Sequence, residues 1–270
     1  MEPFLREYIK QRPLFLGLIR ARESAIYQQF LPFKGPVLDV GCGDGYFAKV
    51  TFAKRAKSKE QKSKMIRKND SQEYLIDVGL DVEDSRIHEA EHRGVYKKLV
   101  TYDGHVFPFK DNSFQTVVSN CVFEHIPNID ETISEIYRVL KPGGRLITTV
   151  MADKWEDYMW GKRLGNWYVQ WMRRKQVHFN LLSSPQWKKK FTSTGFKVDT
   201  EIGYLGEGAS ELIDIAHYIS IPNLFSYKWT GRWVLFPQFA SFLPLTTMVN
   251  TVQTPVPPTE SSALFYVLKK

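Results

Sequence analysis

The stretch VLDVGCGDGYF places an acid, Asp39, before three glycines at alternate positions, Gly41, Gly43 and Gly45. An apolar run that breaks into glycines is typical of a turn between a buried strand and a helix, where the backbone approaches a ligand closely. Dinucleotides and adenosyl groups without a pyrophosphate both use such turns. The dinucleotide fingerprint has a third glycine at the position of Tyr46, and an acid before the first glycine would repel a pyrophosphate. The pattern therefore favours an adenosyl ligand without a pyrophosphate over a dinucleotide.

Three more polar residues close predicted strands further along the chain. Asp81 ends YLIDVGLD, Asp103 ends KKLVTYD, and Asn120 ends FQTVVSN. Parallel sheets bind ligands beyond the carboxyl ends of their strands. We therefore expect these residues to lie near the glycine turn and to form one site with it.

The elements that must position these residues alternate between strand and helix, which predicts an α/β fold with a largely parallel sheet covered on both faces. Apolar spacing predicts a helix over residues 4–30, interrupted near Pro13. Further helices are predicted from about Asp44, over 84–92, and over 128–141, where Pro142-Gly143-Gly144 would end the last of them. The later sequence predicts one capped helix, in SSPQWKKKFTSTGF, and two strands, in FKVDTEIGYL and SALFYVLKK.

The composition fits a folded protein that works in a reducing compartment. The chain has 270 residues, 43% of them hydrophobic, and two cysteines, Cys42 and Cys121, which cannot form a disulfide framework. The N-terminus lacks the pattern of a signal peptide. We predict a single domain over 1–270 in the cytoplasm, with an N-terminal helical segment over 1–34.

Most of the net charge of +8 comes from one segment. Residues 54–68 hold eight Lys or Arg and one Glu, a net charge of +7. This concentration predicts a solvated basic insertion, over 54–70, rather than a basic face. Contact of the insertion with anionic lipid or nucleic acid is a weaker alternative.

Four motifs in order resemble those of class I S-adenosylmethionine-dependent methyltransferases, in particular the group that includes ubiquinone and menaquinone biosynthesis enzymes. They are VLDVGCGDGYF, VGLDV, YDGHVFPFKDNSFQTVVSNCVFEHI and EIYRVLKPGGRLITTV. The resemblance runs from about residue 35 to 151. It implies a Rossmann-like seven-stranded sheet, mostly parallel, whose last strand, ALFYVLKK, is antiparallel.

The resemblance also implies roles in binding S-adenosylmethionine. The three glycines would let the backbone approach the cofactor, and Asp39 would orient the loop and the methionine ammonium. Asp81 would accept from both ribose hydroxyls, with Asp77 as a competing candidate. Asp103, beside Gly104, would accept from the adenine amino group, and Asn120 would offer its carbonyl, and also its side chain, to the methionine part. Asp44 and Val82 complete the predicted set.

Candidate catalytic residues are Glu124 and His125, in VFEHIP, and His178, in QVHFNLL. A general base helps when the methyl acceptor is a hydroxyl, and each histidine has a structural role as an alternative. Related enzymes bind a divalent metal through E-x-x-E-H in this region, but Cys121 stands at the first glutamate position. We therefore predict no metal.

The second half should determine which substrate binds, together with the N-terminal segment. An apolar insertion is predicted over 205–260, and residues 233–259 carry no charge. Pro237 and Pro244 argue against a membrane-spanning helix. The favoured interpretation is a buried lid that shapes an apolar pocket, and the alternative is a segment that contacts a membrane surface peripherally.

The sequence thus predicts transfer of a methyl group to a small-molecule or lipid-linked acceptor. One alternative is a nucleic-acid or protein methyltransferase, motivated by the basic insertion, although the Asp/Asn-Pro-Pro-Tyr/Phe motif of base methylation is absent after the fourth strand. The other is a cofactor-binding scaffold without catalysis. The oligomeric state is not predicted.

Overall fold

A computed structural model of the chain describes residues 1–52, 76–83 and 85–270. The predicted basic insertion, 54–70, lies outside the described residues.

Seven strands form a single sheet. They are β1 (Val37–Val40), β2 (Ile76–Val82), β3 (Tyr96–Tyr102), β4 (Phe114–Asn120), β5 (Leu140–Met151), β6 (Lys197–Gly203) and β7 (Ala263–Lys269). Their order is β3-β2-β1-β4-β5-β7-β6. Strand β7 runs antiparallel to both β5 and β6, whereas the other neighbouring pairs are parallel. The predicted seven-stranded sheet with an antiparallel last strand is confirmed.

The centre of the sheet is buried on both faces, as expected for β-strands between two layers of helices. All four residues of β1 are buried, and Leu38 lies opposite Val78 of β2 and Val117 of β4. Two hydrophobic cores, one containing Val37 and the other Leu38, pack on the two sides. Because β1 lies between β2 and β4, the residues that follow these three strands are neighbours.

Eleven α-helices are present in the described part of the chain. They are α1 (Glu2–Tyr8), α2 (Leu14–Tyr27), α3 (Tyr46–Phe52), α4 (Ile87–Ala90), α5 (Ile129–Val139), α6 (Lys154–Tyr158), α7 (Asn166–Gln176), α8 (Ser184–Ser193), α9 (Glu207–Ile219), α10 (Ile221–Thr230) and α11 (Leu245–Gln253).

The N-terminal helices cross the carboxyl ends of the central strands. Pro13 separates α1 from α2, as predicted, and is the N-cap of α2. Tyr27, at the end of α2, donates a hydrogen bond to the carbonyl of Ser119 in β4 (3.1 Å). The segment therefore closes the sheet on the side where a ligand is expected.

Two predicted helix boundaries differ from the structure. Helix α5 ends at Val139, before Pro142-Gly143-Gly144, because Leu140 already pairs with Phe114 of β4 and begins β5. The helix predicted over 84–92 is helical only in α4 and a following 3₁₀ turn, 91–93.

The predicted apolar insertion, 205–260, contains three helices with different environments. Helices α9 and α11 bury one face against the core, whereas α10 has no buried residue. No helix in the described ranges is both long enough and apolar enough to cross a bilayer.

Candidate active site

The glycine turn after β1 has the backbone conformation that its sequence requires. Gly41 and Gly43 have φ of +74° and +52°, in the left-handed region that favours glycine. A Cβ on Gly41 would lie 2.4 Å from a methyl carbon of Val122, whereas a Cβ on Gly43 would meet no atom within 4 Å. Gly43 therefore presents bare backbone to open space, as close approach of a ligand requires.

Asp81, at the end of β2, binds the backbone of this turn, whereas Asp39, in β1, binds a side chain of β3. Asp39 is buried and accepts a hydrogen bond from the Tyr96 hydroxyl (2.7 Å). Burial raises the pKa of Asp39 to about 7. Asp81 accepts from the backbone N–H of Gly43 (2.6 Å) through one oxygen and from that of Val82 (2.8 Å) through the other. Burial also raises the pKa of Asp81.

The competing candidate for the second acid, Asp77, has a different position. Its side chain accepts from the backbone N–H of Val37 at the beginning of β1 (2.8 Å), at the opposite end of the sheet from the glycine turn. The geometry therefore favours Asp81 for a role at the glycine turn.

Asp44 lies on the same turn but is surrounded by arginines. Its carboxylate pairs with Arg12, and Arg93 and Arg86 lie 3.6 and 3.9 Å away. Burial alone would raise the pKa of Asp44, but the neighbouring guanidinium of Arg12 holds it below its usual range. Asp44 thus joins the N-terminal segment to the glycine turn.

Asp103 and Gly104 follow β3 at the outer side of the site. Asp103 is exposed and accepts from the backbone N–H groups of His105 (3.0 Å) and Val106 (3.4 Å), which lower its pKa. A Cβ on Gly104 would lie 3.8 Å from a methyl carbon of Val82. This pair forms an open turn beside the end of β2.

A cavity of about 350 Å³ opens next to the glycine turn. Five of the predicted cofactor residues line it: Asp39, Gly41, Gly43, Asp44 and Asn120. Gly45, Asp81, Val82, Asp103 and Gly104 lie outside its lining. Several other lining residues were not predicted to belong to the cofactor site: Tyr8, Arg12, Phe15, Leu16, Arg20 and Trp233. Only the helical periodicity of residues 1–34 indicated that this segment would contribute.

A buried polar network, which the sequence did not predict, joins α2 to the end of β4. Glu23 is fully buried and pairs with Arg20 (2.7 Å). It also accepts from the side chains of Asn120 (2.9 Å), Cys121 (3.0 Å) and Tyr204 (2.9 Å).

This network restricts what Asn120 can do. Its amide nitrogen donates to Glu23, and its amide oxygen accepts from the Thr149 hydroxyl (3.0 Å). Each side-chain group of Asn120 thus already has one partner, and its contact with the methionine part of the cofactor stays a prediction.

A second cavity, of about 190 Å³, adjoins the first. Phe15, Leu16 and Arg20 line both cavities. All three predicted catalytic residues, Glu124, His125 and His178, line the second one, although His178 lies more than 50 positions after the other two. The remaining apolar wall comes from Ile19, Met151, Trp155 and Ile213.

The polar end of the second cavity has unused hydrogen-bonding capacity. Glu124 is fully buried, and its Oε1 accepts from the N–H of Met151 (3.3 Å). Its Oε2 and Nδ1 of His178 are buried without a hydrogen-bond partner among the described residues. Burial raises the pKa of Glu124 and lowers the pKa of His178 to about 4. Such unsatisfied groups are costly in a protein interior and suggest a binding site.

A strained backbone holds the two histidines together. Val177, just after α7, has φ of +55°, which costs a β-branched residue on the order of 1–3 kcal/mol. Its carbonyl lies 3.1 Å from Nδ1 of His125, and the rings of His125 and His178 are 5.1 Å apart. The N–H groups of Phe179 and Asn180 both donate to the carbonyl of Glu124. These contacts position His178 beside Glu124.

Within the described ranges, no group of three or more His, Cys, Asp or Glu could hold a metal ion. Cys42 lines the first cavity and Cys121 the second.

Comparison with known proteins identifies the family. Residues 5–201 match a family described as "Methyltransferase domain", which covers more than half of the chain. The chain belongs to the class I S-adenosylmethionine-dependent methyltransferase family. The predicted resemblance is thereby confirmed, and the family implies the use of S-adenosylmethionine.

Two curated relatives match parts of this chain. Phosphoethanolamine N-methyltransferase 2 of Caenorhabditis elegans is 36% identical over 81 residues, which cover 27% of this chain and 18% of that protein. Demethylmenaquinone methyltransferase of Symbiobacterium thermophilum is 32% identical over 141 residues, which cover 50% of this chain and 48% of that protein. The chain thus spans less than half the length of either relative.

Solved structures share the fold. A S-adenosylmethionine-dependent methyltransferase of Thermotoga maritima aligns with a TM-score of 0.55 and 17% identity, over 100% of this chain and 97% of that chain. Geranyl diphosphate methyltransferase aligns with a TM-score of 0.54 and 12% identity, over 92% of this chain and 76% of that chain. At these identities, the likeness shows only that this chain has the same fold as both.

Proposed function

We propose that this chain transfers the methyl group of S-adenosylmethionine to a small-molecule or lipid-linked acceptor. The observation that carries the proposal is the pair of adjoining cavities, one at the glycine turn and one lined by Glu124, His125 and His178. The two share Phe15, Leu16 and Arg20, so a donor and an acceptor can meet between them.

The first cavity suits the cofactor chemically. A methionine group carries both an ammonium and a carboxylate, and the cavity offers acidic Asp39 together with basic Arg12 and Arg20. The bare backbone at Gly43 leaves room for close contact. Asp81 would accept from the ribose hydroxyls when the cofactor is bound, while it holds the glycine turn through Gly43.

The second cavity suits an acceptor with an apolar body and one hydrogen-donating group. Its apolar wall would bury the body, and its polar end would receive a hydroxyl or an amine. An amine could donate to both unpartnered atoms, Oε2 of Glu124 and Nδ1 of His178, whereas a hydroxyl would donate its one hydrogen to Oε2 of Glu124. A charged polymer such as RNA would find few phosphate-binding groups there.

Catalysis would consist mainly of aligning the acceptor with the methyl group of the cofactor, and of removing one proton from the acceptor. When bound, the cofactor would supply a methyl group on a sulfonium sulfur, whose leaving group is a neutral thioether. Glu124 would accept the proton of the acceptor, because its raised pKa makes the ionised carboxylate a stronger base. His178 is neutral at pH 7 and would orient the acceptor, and His125 would hold His178 in place.

Labelling tests this function against its alternatives. Purified protein and S-adenosylmethionine with a labelled methyl group are incubated with an extract of the source cells, and four fractions are separated: lipids, small aqueous molecules, nucleic acids and proteins. We expect label in the lipid or small-molecule fraction, and loss of that label in Asp81→Ala. Label in nucleic acid or protein would contradict the proposed acceptor class. Tight cofactor binding without label in any fraction would identify a scaffold without catalysis.

A further inference from the structure

Helix α10 presents an apolar surface to solvent. None of its residues is buried, and its exposed large side chains include Trp229, which is 85% exposed, and Phe225, which is 54% exposed. Ile219, before the helix, and Leu235 and Phe236, after it, are also exposed. Contiguous apolar surface of this kind marks an interaction site in most soluble proteins.

The two sides of α10 have separate roles. On the inner side, Asn223 donates to the carbonyl of Trp233 (2.7 Å), and the ring of Tyr227 stacks on that of Trp233 (4.3 Å between centroids). These contacts fix the turn after the helix. On the outer side, Ile221, Phe225 and Trp229 recur every four residues and therefore form one stripe. We call the outer side of α10, together with residues 231–236, the α10 face.

The charge of the α10 face is positive only. Residues 215–259 contain no Asp or Glu, whereas Lys228 and Arg232 are exposed. Neither cation forms an ion pair with any residue that the structure describes. Exposed Trp and Phe between unpaired cations are the composition of helices that lie in the interface of anionic membranes. A symmetric contact between two copies would instead bring these like charges together.

We propose that the α10 face docks this protein on the surface of a bilayer that contains anionic phospholipid. The aromatic residues enter the headgroup region, and Lys228 and Arg232 contact the lipid phosphates.

The α10 face also adjoins the proposed active site. Trp233 lines the cavity at the glycine turn, and the guanidinium of Arg86, which lines the same cavity, lies 5.8 Å from the Tyr227 ring centroid. A docked bilayer would thus lie close to the site, which fits a lipid-linked acceptor. This last connection rests on the proposed function, whereas membrane binding itself does not.

Sedimentation with vesicles tests the proposal without any turnover. The full chain is mixed with vesicles of phosphatidylcholine alone or with phosphatidylglycerol added, and the bound fraction is measured. We expect binding only when the anionic lipid is present. The double variant Lys228→Gln/Arg232→Gln should bind about 30-fold more weakly, since each cation near an anionic surface contributes about 1 kcal/mol. Phe225→Glu/Trp229→Glu should lose binding, whereas Val106→Glu, at an exposed apolar residue on another loop, should bind as the wild type.

Several results would overturn the proposal. Equal binding to both kinds of vesicle would exclude the role of charge. Wild-type binding by Phe225→Glu/Trp229→Glu would assign the contact to another part of the chain, such as the basic insertion. If light scattering shows a dimer that this variant dissociates, and vesicles do not bind, then the face contacts a second copy. Because cofactor and acceptor are absent from these assays, their outcome is independent of whether methyl transfer occurs.

Discussion

Replacement of Glu23 by alanine should strongly destabilise the fold. Glu23 is fully buried, and four side chains donate to its carboxylate. Its removal leaves the Arg20 guanidinium, which is 21% exposed, without its partner, and deprives the Asn120 amide and the buried Tyr204 hydroxyl of this acceptor. Breaking a buried ion pair from one side costs about 3–5 kcal/mol. For a chain of this length, we expect the melting temperature to fall by roughly 10 °C.

Urea unfolding followed by circular dichroism measures this effect. Glu23→Gln keeps the shape but replaces one acceptor with a donor, so we expect an intermediate loss of about 2 kcal/mol. The matched control is Glu2→Ala, which removes the exposed ion pair with Arg6 in α1 and should cost about 0.3–0.5 kcal/mol. Surface substitutions usually change the free energy of unfolding by less than about 1 kcal/mol. An effect of Glu23→Ala as small as this would refute the claim that the buried network stabilises the fold.

Three further predictions concern the site. Because the pKa of Asp39 is about 7, its carboxylate becomes protonated as the pH falls, so calorimetry should show S-adenosylmethionine affinity decreasing from pH 8 to pH 6, and Asp39→Asn should remove this dependence. Gly43→Arg should abolish cofactor binding, whereas Gly143→Arg should bind the cofactor normally, although Gly143 also has a positive φ and open space around it. Equal loss of cofactor binding in both variants would implicate backbone strain instead. Glu124→Gln should lower kcat by about 10²–10⁴-fold with little change in KM, as expected for loss of a general base; an unchanged kcat would exclude that role.

The strands and the order of the motifs were predictable because they depend on local patterns. The apolar run before Gly41 identified β1, and the predicted strand FQTVVSN coincides with β4. The end of α5 was not predictable in this way, because pairing of Leu140 with Phe114 takes precedence over the Pro-Gly-Gly signal that follows.

The polar contacts of the site were less predictable because they join distant parts of the chain. Arg20 and Glu23 are three positions apart and resemble an ordinary surface pair, and nothing near them in sequence indicates that Tyr204 and Asn120 complete their network. Glu124 and His178 were identified singly as candidates. That they line one cavity was not predictable, and neither was the left-handed backbone at Val177, just before His178, because a valine does not favour it.

The central claim is that the methyl acceptor binds in the second cavity. The most direct test fills this cavity with a larger side chain and measures methyl transfer. Ile19 lines that cavity but not the one at the glycine turn, so Ile19→Trp should reduce the space for an acceptor and leave the cofactor site intact. With labelled S-adenosylmethionine, we predict an unchanged dissociation constant and a rate of methyl transfer lowered about a hundredfold. Lys189→Trp, at an exposed position of α8 that lines neither cavity, serves as the control and should keep both. Methyl transfer at the wild-type rate by Ile19→Trp would contradict the claim that the acceptor binds in this cavity.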